Sequence, residues 1–306
     1  MNDTNLPKEG SDKEWKIKLH AEIITAITGN LLEKVQATNE VGYYYSCCAP
    51  AFLYKYYKPT PINIEAIMGN SMWYSAPCSF NDVFDCDVDI DEDSAFESIL
   101  RMVPGNRQVR RGSQMWRELK GNLHRELRKI RSDFASLKET IGVSCLCESE
   151  NSLLMWAHYA DNHRGICVEY NLLEMNRQLD FTPIPVIYSN SKACFDSLNL
   201  ETSEQDSLKL FIQSATSKSP EWSYEQEWRI IRDNMACGDR WDDGKKGALL
   251  DMIRPNSIIL GCQASEETRG VFEEYCKTSK VNLYKMKKDD SLYRLNKEMI
   301  LGFDSD

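Results

Sequence analysis

The chain has 306 residues, of which 42% are hydrophobic and 27% are charged, as is ordinary for a globular protein. Its formal net charge of −10 excludes a surface that recruits nucleic acid as a whole, and no apolar run approaches the ~18 residues needed to cross a bilayer. The 11 cysteines are scattered and odd in number, which argues against a secreted disulfide framework. With a polar N-terminus that has no signal-peptide core, these features predict a cytoplasmic protein without membrane contact.

The first half of the chain is predicted to be mainly helical. Residues 1–14 are predicted to be a disordered tail, and residues 15–50 a helical segment, because apolar residues recur at helical spacing from Trp15 to Lys34. Two short strands, a helix between them, an acidic loop and a two-helix insertion near residues 94–138 follow. These elements are Phe52–Tyr57, Ile62–Met68, Ser71–Ser75, the loop Pro77–Asp93, Ser94–Met102 and Ser113–Leu137.

The second half of the chain is predicted to be richer in strands. Its strands are Ile141–Cys147, Gly165–Tyr170, Val186–Tyr188, Glu227–Ile231, Ser257–Gly261 and Val281–Met286, and its helices are Ser152–Asp161, Asp206–Thr216 and Glu266–Thr278. Because strands and helices do not alternate strictly, the order favours an α+β fold. We expect a single mixed-sheet domain over residues 51–290 with surrounding helices, and a C-terminal tail over residues 291–306.

The sequence lacks the familiar motifs of nucleotide and metal chemistry. It has no phosphate-binding glycine loop, no H-E-x-x-H and no G-x-S-x-G. The acidic run from Asp85 to Asp91 departs from a calcium loop, since Ile90 stands where glycine is needed and Phe96 where glutamate is needed. The cysteines lack paired C-x-x-C spacing, so no structural metal is expected.

Four clusters of aromatic and polar residues are the candidate functional sites. In the first, Leu53–Tyr57, Lys55 and Tyr56 either pack along a strand or bind a phosphate and stack on a base at a pocket edge. In the third, Leu154–Gly165, His158 is suited to proton transfer near neutral pH. It can equally be a core histidine bonded to a backbone carbonyl.

The second cluster, Trp73–Asp85, is a strand end followed by a turn. Asn81 and Asp82 either form a structural Asx-turn or, with Asp85, are directed at a ligand by the loop. Aromatic residues flank the turn and can anchor it to the core. The cluster therefore predicts either a fixed turn or a ligand-binding loop.

The fourth cluster is Trp222–Arg229, at the start of a predicted strand. The period of two along a strand places Glu227 and Arg229 on one face and Trp228 on the other. Charged groups beside tryptophans are costly to bury unless they are paired. The cluster therefore predicts either an internal Glu–Arg pair or a catalytic or ribose-binding glutamate held by its neighbours.

Basic residues are concentrated between Arg101 and Arg131. This stretch has ten basic residues against two acidic ones, within a chain of net charge −10. It is either a solvated helix face or a local footprint for a polyanion such as nucleic acid.

Taken together, the four clusters resemble a bacterial and mobile-element family known as domain of unknown function 2971 (DUF2971). The resemblance spans roughly Tyr54 to Tyr284. It rests on Tyr54-Lys55-Tyr56, Phe80-Asn81-Asp82-Val83-Phe84-Asp85, Met155-Trp156-Ala157-His158-Tyr159-Ala160 and Trp222-x-Tyr224-Glu225-x-Glu227-Trp228-Arg229. A proline is usual in that family where Val83 stands.

More distantly, the order of elements resembles the ADP-ribosyltransferase fold. That fold has an early strand with a ligand-holding residue, a second strand ending in serine and a late strand beginning with Glu-x-Glu. The corresponding residues here are Tyr54–Tyr56, Ser75 and Glu225-Gln226-Glu227. The departure is that Lys55 and Tyr56 stand where a histidine or arginine is usual.

This second resemblance implies an ADP-ribosyltransferase-like or NAD-cleaving enzyme, which would modify nucleic acid or protein in a phage-defence or toxin context. Nicotinamide dinucleotide (NAD) is then the candidate substrate and a small-molecule nucleotide the expected partner. Glu227 would stabilise an oxocarbenium-like transition state, Glu225 would activate the acceptor, and His158 would be a hydrogen-bond donor or secondary proton acceptor.

The remaining candidate residues would then bind the ligand. Tyr56 or Trp156 would stack on nicotinamide or adenine, Lys55 or Arg229 would meet the pyrophosphate, and Ser75, Asn81, Asp82, Asp85 and Tyr159 would complete the site. The basic stretch 101–131 would attract a nucleic-acid acceptor.

Two other functions stay open at this point. One is a metal-dependent nuclease that uses Asp82, Asp85 and Glu227 around magnesium. The other is a non-catalytic ligand-binding or sensor module of a defence system, for which we expect a buried Glu227–Arg229 arrangement without an adjacent cavity.

Overall fold

A computed structural model describes residues 11–103, 109–179, 182–194 and 204–303, without the side chains of residues 11–13, 204, 206 and 234. The predicted tail at residues 1–10, and Arg107 of the basic stretch, lie outside the described residues.

Helices in the described part of the chain surround the sheet. They are α1 (Ser11–Thr28), α2 (Leu31–Cys47), α3 (Pro61–Met68), α4 (Glu92–Met102), α5 (Gln114–Thr140), α6 (Leu153–His158), α7 (Leu172–Gln178), α8 (Glu204–Ala215), α9 (Asn234–Cys237) and α10 (Glu266–Ser279).

The described strands are numbered separately. They are β1 (Phe52–Tyr57), β2 (Ser71–Ser75), β3 (Val88–Asp89), β4 (Ile141–Cys147), β5 (Ile166–Asn171), β6 (Ile184–Pro185), β7 (Ile187–Tyr188), β8 (Ala193–Cys194), β9 (Ser217–Lys218), β10 (Glu227–Asp233), β11 (Trp241–Asp242), β12 (Gly247–Asp251), β13 (Ser257–Leu260), β14 (Asn282–Lys288) and β15 (Leu295–Leu301).

One large mixed sheet organises the fold. Nine of its strands follow the order β11-β12-β2-β4-β1-β5-β13-β14-β15, while β10 pairs with β4 and β6. The β13–β14 pair is parallel, and the neighbouring pairs of β13 with β5 and of β14 with β15 are antiparallel. The predicted α+β fold with a mixed sheet and surrounding helices is therefore confirmed.

The sheet is split along one edge of β4. On one side β4 pairs with β10 over its whole length, from Ile141 to Cys147. On the other side, the described pairs join Val143 to Ser75 of β2 and Cys147 to Tyr54 of β1. The β4 backbone between Val143 and Cys147 faces a gap in the sheet. This gap adjoins the candidate functional site.

Alternation along the strands separates two hydrophobic cores. Tyr54 and Tyr56 of β1 join a cluster with Met155 and Trp156 of α6, whereas Leu53 and Tyr57 join the larger core on the other face. The N-terminal helices cover that larger core. The rings of Trp15 in α1 and Tyr45 in α2 lie 6.4 and 6.1 Å from the ring of Trp228 in β10.

The N-terminal helical segment is two helices because Asn30 caps the second one. Its side chain accepts hydrogen bonds from the Leu32 and Glu33 amides, and the Glu33 carboxylate accepts one from the Asn30 amide at 2.8 Å. This reciprocal capping box satisfies amides that have no partner within a helix. Helix α1 begins at Ser11, inside the predicted tail 1–14, so that boundary is corrected.

The predicted helical insertion near 94–138 is present as α4 and α5. The two helices share a small hydrophobic cluster of their own, built from Ala95 and Phe96 of α4 and Leu123 and Leu127 of α5. The hairpin therefore buries apolar surface independently of the sheet.

The predicted C-terminal tail 291–306 is wrong where β15 pairs with β14. Most side chains of β15 are exposed. Because no face of the strand is consistently buried, its sequence lacks the apolar–polar alternation by which a strand is predicted. In the described part of the chain, no helix is both long and apolar enough to span a bilayer.

Candidate functional site

Strand register brings distant residues to one face of the sheet. Cys147 of β4 is paired with Tyr54 of β1 and with Glu227 of β10. Directly paired residues point to the same side of a sheet, and side chains two residues apart do so as well. Tyr54, Glu227 and Arg229 therefore face the layer that contains α6. The spacing of the fourth cluster predicts the face that Glu227 and Arg229 share.

A buried arginine forms the centre of this face. The Arg229 guanidinium bonds both oxygens of Asp85 at 2.6 and 2.7 Å and both oxygens of Glu227 at 2.7 and 3.1 Å. A fifth bond, of 2.8 Å, reaches the backbone carbonyl of Ala215. These contacts occupy all five guanidinium N–H donors, so Arg229 is fully satisfied although its relative exposure is 0%.

Lys218 of β9 holds two glutamates together. Its ammonium lies 2.6 Å from a Glu225 oxygen and 3.2 Å from a Glu227 oxygen, and 4.7 Å from the centre of the Trp222 ring. The two carboxylates take two of its three N–H donors. Lys218 itself is buried, so its charge is stabilised by these acids.

The local backbone explains why Glu225 and Glu227 share this lysine. A 3-10 turn at Pro220–Glu225 precedes β10, and it ends at Gln226 in the left-handed conformation with φ 44°. Gln226 is exposed while both flanking glutamates are buried. The turn thus directs both carboxylates inward.

The two glutamates have opposite pKa shifts. Burial would raise the pKa of Glu227, but the charges of Arg229 and Lys218 outweigh burial and lower it to about 2. Burial and the neighbouring Glu227 raise the pKa of Glu225 above its ordinary value. Glu227 therefore stays ionised at neutral pH, whereas Glu225 holds a proton more readily.

These groups lie along a cleft of about 200 Å³. Eight of the residues predicted from the sequence line it. They are Lys55, Tyr56, Asn81, Asp85, Tyr159, Glu225, Glu227 and Arg229.

Lys55 and Tyr159 contribute polar groups to the cleft from opposite sides. The Lys55 ammonium donates to the Ser144 hydroxyl and the Cys145 carbonyl, both at 2.9 Å, in the gap beside β4. Burial lowers the pKa of Lys55. The Tyr159 hydroxyl donates to Glu225 at 2.5 Å, and Asn81 lies within hydrogen-bonding reach of that hydroxyl.

Four predicted site residues lie outside the lining of the cleft. His158 is exposed and contacts the rings of Tyr159 and Tyr224, because it points away at the end of α6. Trp156 is fully buried, and its indole donates to the Glu150 carbonyl at 2.7 Å, so it is a core residue and does not stack on a ligand.

Ser75 and Asp82 also have structural roles outside the cleft. Ser75 ends β2, paired with Val143 and with Gly247. Asp82 accepts a hydrogen bond from the Phe84 amide at 2.9 Å, which is the structural Asx-turn. The prediction that Arg229 meets a pyrophosphate is also corrected, since its donors are all occupied by protein groups.

Sequence reasoning missed several cleft residues, of which Lys218 is the most important. Lys218 lies in a two-residue strand, and the sequence around it has no pattern that distinguishes it from other lysines. Phe80, whose ring centre is 5.4 Å from the Arg229 guanidinium, and Met155 belong to the named clusters, but neither was predicted to line a site. Cys145 also lines the cleft, and burial and then Glu227 raise the pKa of its thiol.

The acidic side chains of the site are already neutralised by protein cations. Asp85 and Glu227 share the Arg229 guanidinium, and Asp82 lies outside the cleft lining. Within the described ranges, no group of three or more His, Cys, Asp or Glu side chains is arranged to hold a metal ion.

Comparison with known proteins bears on the third and fourth clusters. Residues 155–230 match the model of a family described as "Protein of unknown function (DUF2971)". This segment contains most of α6, the Lys218 strand and both glutamates. No curated protein and no solved structure matches the chain. The predicted resemblance to this family is thus confirmed over residues 155–230.

Proposed function

We propose that the cleft binds a nucleotide of the NAD type and cleaves its N-ribosyl bond, as an ADP-ribosyltransferase-like or NAD-cleaving enzyme. The proposal is supported by one observation above the others. Two carboxylates bound to a single ammonium, that of Lys218, have pKa shifts of opposite direction. Such a separation provides one permanently charged carboxylate and one proton-transferring carboxylate, which are the two groups that glycosidic cleavage requires.

Each carboxylate has its own part in the proposed reaction. The bond between ribose C1′ and the nicotinamide nitrogen breaks, and its electron pair leaves on nicotinamide. Glu227, ionised at neutral pH, stabilises the positive charge that develops on the ribose. Water or an acceptor hydroxyl then forms the new bond to C1′ and gives its proton to Glu225.

Other residues of the cleft position the ligand and the acids. Arg229 and Asp85 hold Glu227 in place and make no ligand contact of their own. Tyr159 orients Glu225 through its hydrogen bond. The aromatic rings of Tyr54 and Tyr56 offer stacking surfaces beside Lys55, whose ammonium lies in the gap in the sheet.

The proposal is tested by incubating the purified chain with NAD labelled in nicotinamide. We expect release of free nicotinamide, its loss in Glu227→Gln, and an unchanged rate in Glu221→Gln, which alters an exposed glutamate in the same 3-10 turn. Because Glu227 also neutralises Arg229, the folded state of the variant is checked by circular dichroism. Glu225→Gln, which leaves the Arg229 contacts intact, provides a second variant.

Two outcomes of this assay contradict the proposal. One is a wild-type protein that releases no nicotinamide. The other is a folded Glu227→Gln protein that releases it at the wild-type rate. A chelator should have no effect, whereas it would silence a nuclease that used Asp82, Asp85 and Glu227 around magnesium.

A non-catalytic binding or sensor module is the second candidate. It is favoured by the complete internal pairing of Glu227 and Arg229, which matches the expectation for such a module. The cleft that adjoins the pair departs from that expectation. This candidate predicts saturable nucleotide binding by calorimetry without any product.

A further inference from the structure

Basic residues of α5 form a stripe that is separated from the acidic residues of the same helix. At about 100° per residue, Arg117, Lys120, Arg128 and Arg131 fall within an arc of about 80°, whereas Arg125 lies about 60° outside it. Over the same turns, Glu118, Glu126 and Asp133 lie on the far side, next to Lys129. We call Arg117, Lys120, Arg128 and Arg131 the α5 basic stripe. It extends about 21 Å along the helix.

The α5 basic stripe is largely unneutralised and accessible. Its three arginines are exposed, as are Arg110 and Arg111, which precede the helix. Arg131 pairs with Glu92 at 2.8 Å, and Lys120 lies over the Trp116 ring at 5.2 Å. Among the described residues, no carboxylate lies within 4.0 Å of the Arg117 or Arg128 guanidinium. Free cations therefore face solvent on a chain whose net charge is −10.

The α5 basic stripe contains more arginines than lysines, and this composition indicates which kind of partner it binds. The planar guanidinium donates two parallel hydrogen bonds to a phosphate, which an ammonium cannot do. An amphipathic helix that lies in a membrane interface inserts apolar residues beside its basic ones. The apolar face of α5, with Leu123 and Leu127, is already buried in the cluster shared with α4. The stripe therefore fits the phosphodiester backbone of a nucleic acid.

The stripe lies close to the cleft along the chain. Arg131 contacts Glu92, and Glu92 is seven residues after Asp85 in the cleft. Seven residues span at most about 25 Å when fully extended. A strand several nucleotides long that is held on the stripe can therefore reach the cleft.

We propose that the α5 basic stripe binds the phosphate backbone of nucleic acid. Its further role, to present that nucleic acid as the acceptor of the ribosyl group, rests on the proposed function of the cleft. Backbone binding itself is independent of any chemistry in the cleft and is therefore the property to measure. Such binding has little sequence preference and weakens steeply with salt, because counterions are released from the phosphates.

The test is fluorescence anisotropy of labelled single-stranded and duplex oligonucleotides with the full chain over a range of salt concentrations. We expect Arg117→Glu/Arg128→Glu to weaken binding at least about tenfold and to reduce the slope of log K against log salt by about 2 for duplex. The matched control is Arg177→Glu/Lys277→Glu, which makes the same change of net charge at exposed sites on α7 and α10. It should retain most of the affinity.

Three results would overturn the inference. They are no binding of oligonucleotide by the wild-type chain at low salt, an equal loss of affinity in the two double variants, and binding of the wild-type chain to anionic lipid vesicles but not to oligonucleotide. Oligonucleotide binding also separates this inference from the proposed function. The wild-type chain should bind oligonucleotides even if it proves to have no activity toward NAD.

Discussion

Arg229 and Asp85, 144 residues apart, form a bidentate ion pair with N–O distances of 2.6 and 2.7 Å. Both side chains are buried, at 1% and 2% relative exposure, so neither charge is compensated by water. The pair joins the loop after β2 to the strand that carries Glu227. It therefore fixes one wall of the cleft to another.

Removing one partner of this pair should be strongly destabilising. Asp85→Ala leaves Arg229 with only Glu227 and a carbonyl, and an incompletely paired buried charge costs about 3–5 kcal/mol. Urea denaturation measures this loss. The control is Asp89→Asn, an exposed acid of the same acidic run, for which we expect a change within about 0.5 kcal/mol. Equal effects of the two variants would show that the pair does not stabilise the fold.

The stability of the protein should fall as the pH drops below the ordinary pKa of histidine. His20 of α1 lies 2.6 Å from the Thr216 hydroxyl, and burial lowers its pKa from 6.5 to about 4. Between pH 6.5 and about 4, His20 is therefore protonated in the unfolded chain but neutral in the folded chain. Stability from this group is complete above pH 6.5 and is lost as the pH falls toward about 4, by roughly 3 kcal/mol.

Denaturation curves at a series of pH values measure this loss. In His20→Gln, the part of the decline between pH 6.5 and about 4 that arises from His20 should disappear. His158→Gln, which alters an exposed histidine, should keep that decline. A decline of the same size in both variants would assign it to other groups.

Tyr159→Phe should change the proton affinity of Glu225. The Tyr159 hydroxyl donates to Glu225 and thereby lowers the pKa of that carboxyl. Its removal should raise the pKa further, so the acidic limb of the pH–rate profile for nicotinamide release should move to higher pH. Tyr293→Phe, which alters a fully exposed tyrosine, serves as the control. An unshifted profile in Tyr159→Phe would exclude Glu225 as the proton acceptor.

Trp156→Ala should destabilise the fold rather than weaken ligand binding alone. Its ring is fully buried and packs edge-on against Tyr56 with centroids 5.1 Å apart. Truncating a buried tryptophan costs about 3–5 kcal/mol. The neighbouring Leu154→Ala, at a 47% exposed position, should cost much less in the same thermal or urea unfolding experiment. A small loss for Trp156→Ala would return Trp156 to the list of ligand-binding candidates.

The sequence predicts best those features that depend on local periodicity. The shared face of Glu227 and Arg229 follows from the period of two in β10, and the α4–α5 hairpin follows from helical spacing. The family resemblance depends on the same local clusters. These features need no knowledge of which distant segments meet.

Features that depend on tertiary partners could not be predicted. Nothing in the acidic run distinguishes Asp85, which is buried against Arg229, from Asp89, which is exposed. Lys218 likewise gains its place only when β9, which pairs with β7, brings its ammonium to Glu225 and Glu227. Trp156 is an aromatic residue in a polar motif, so its sequence context fits a core position and a ligand-stacking position equally well. Its burial in the fold distinguishes the two.

The central claim is that Glu225 and Glu227, bound to one ammonium, carry different charges at the same pH. Carbon-13 NMR of the glutamate carboxyl groups, with resonances assigned through Glu225→Gln and Glu227→Gln, measures this directly. We predict that the pKa of Glu225 lies above the ordinary value of a glutamate, while Glu227 stays ionised down to a pKa of about 2. Titration of both carboxyls together, or in the reverse order, would contradict the account.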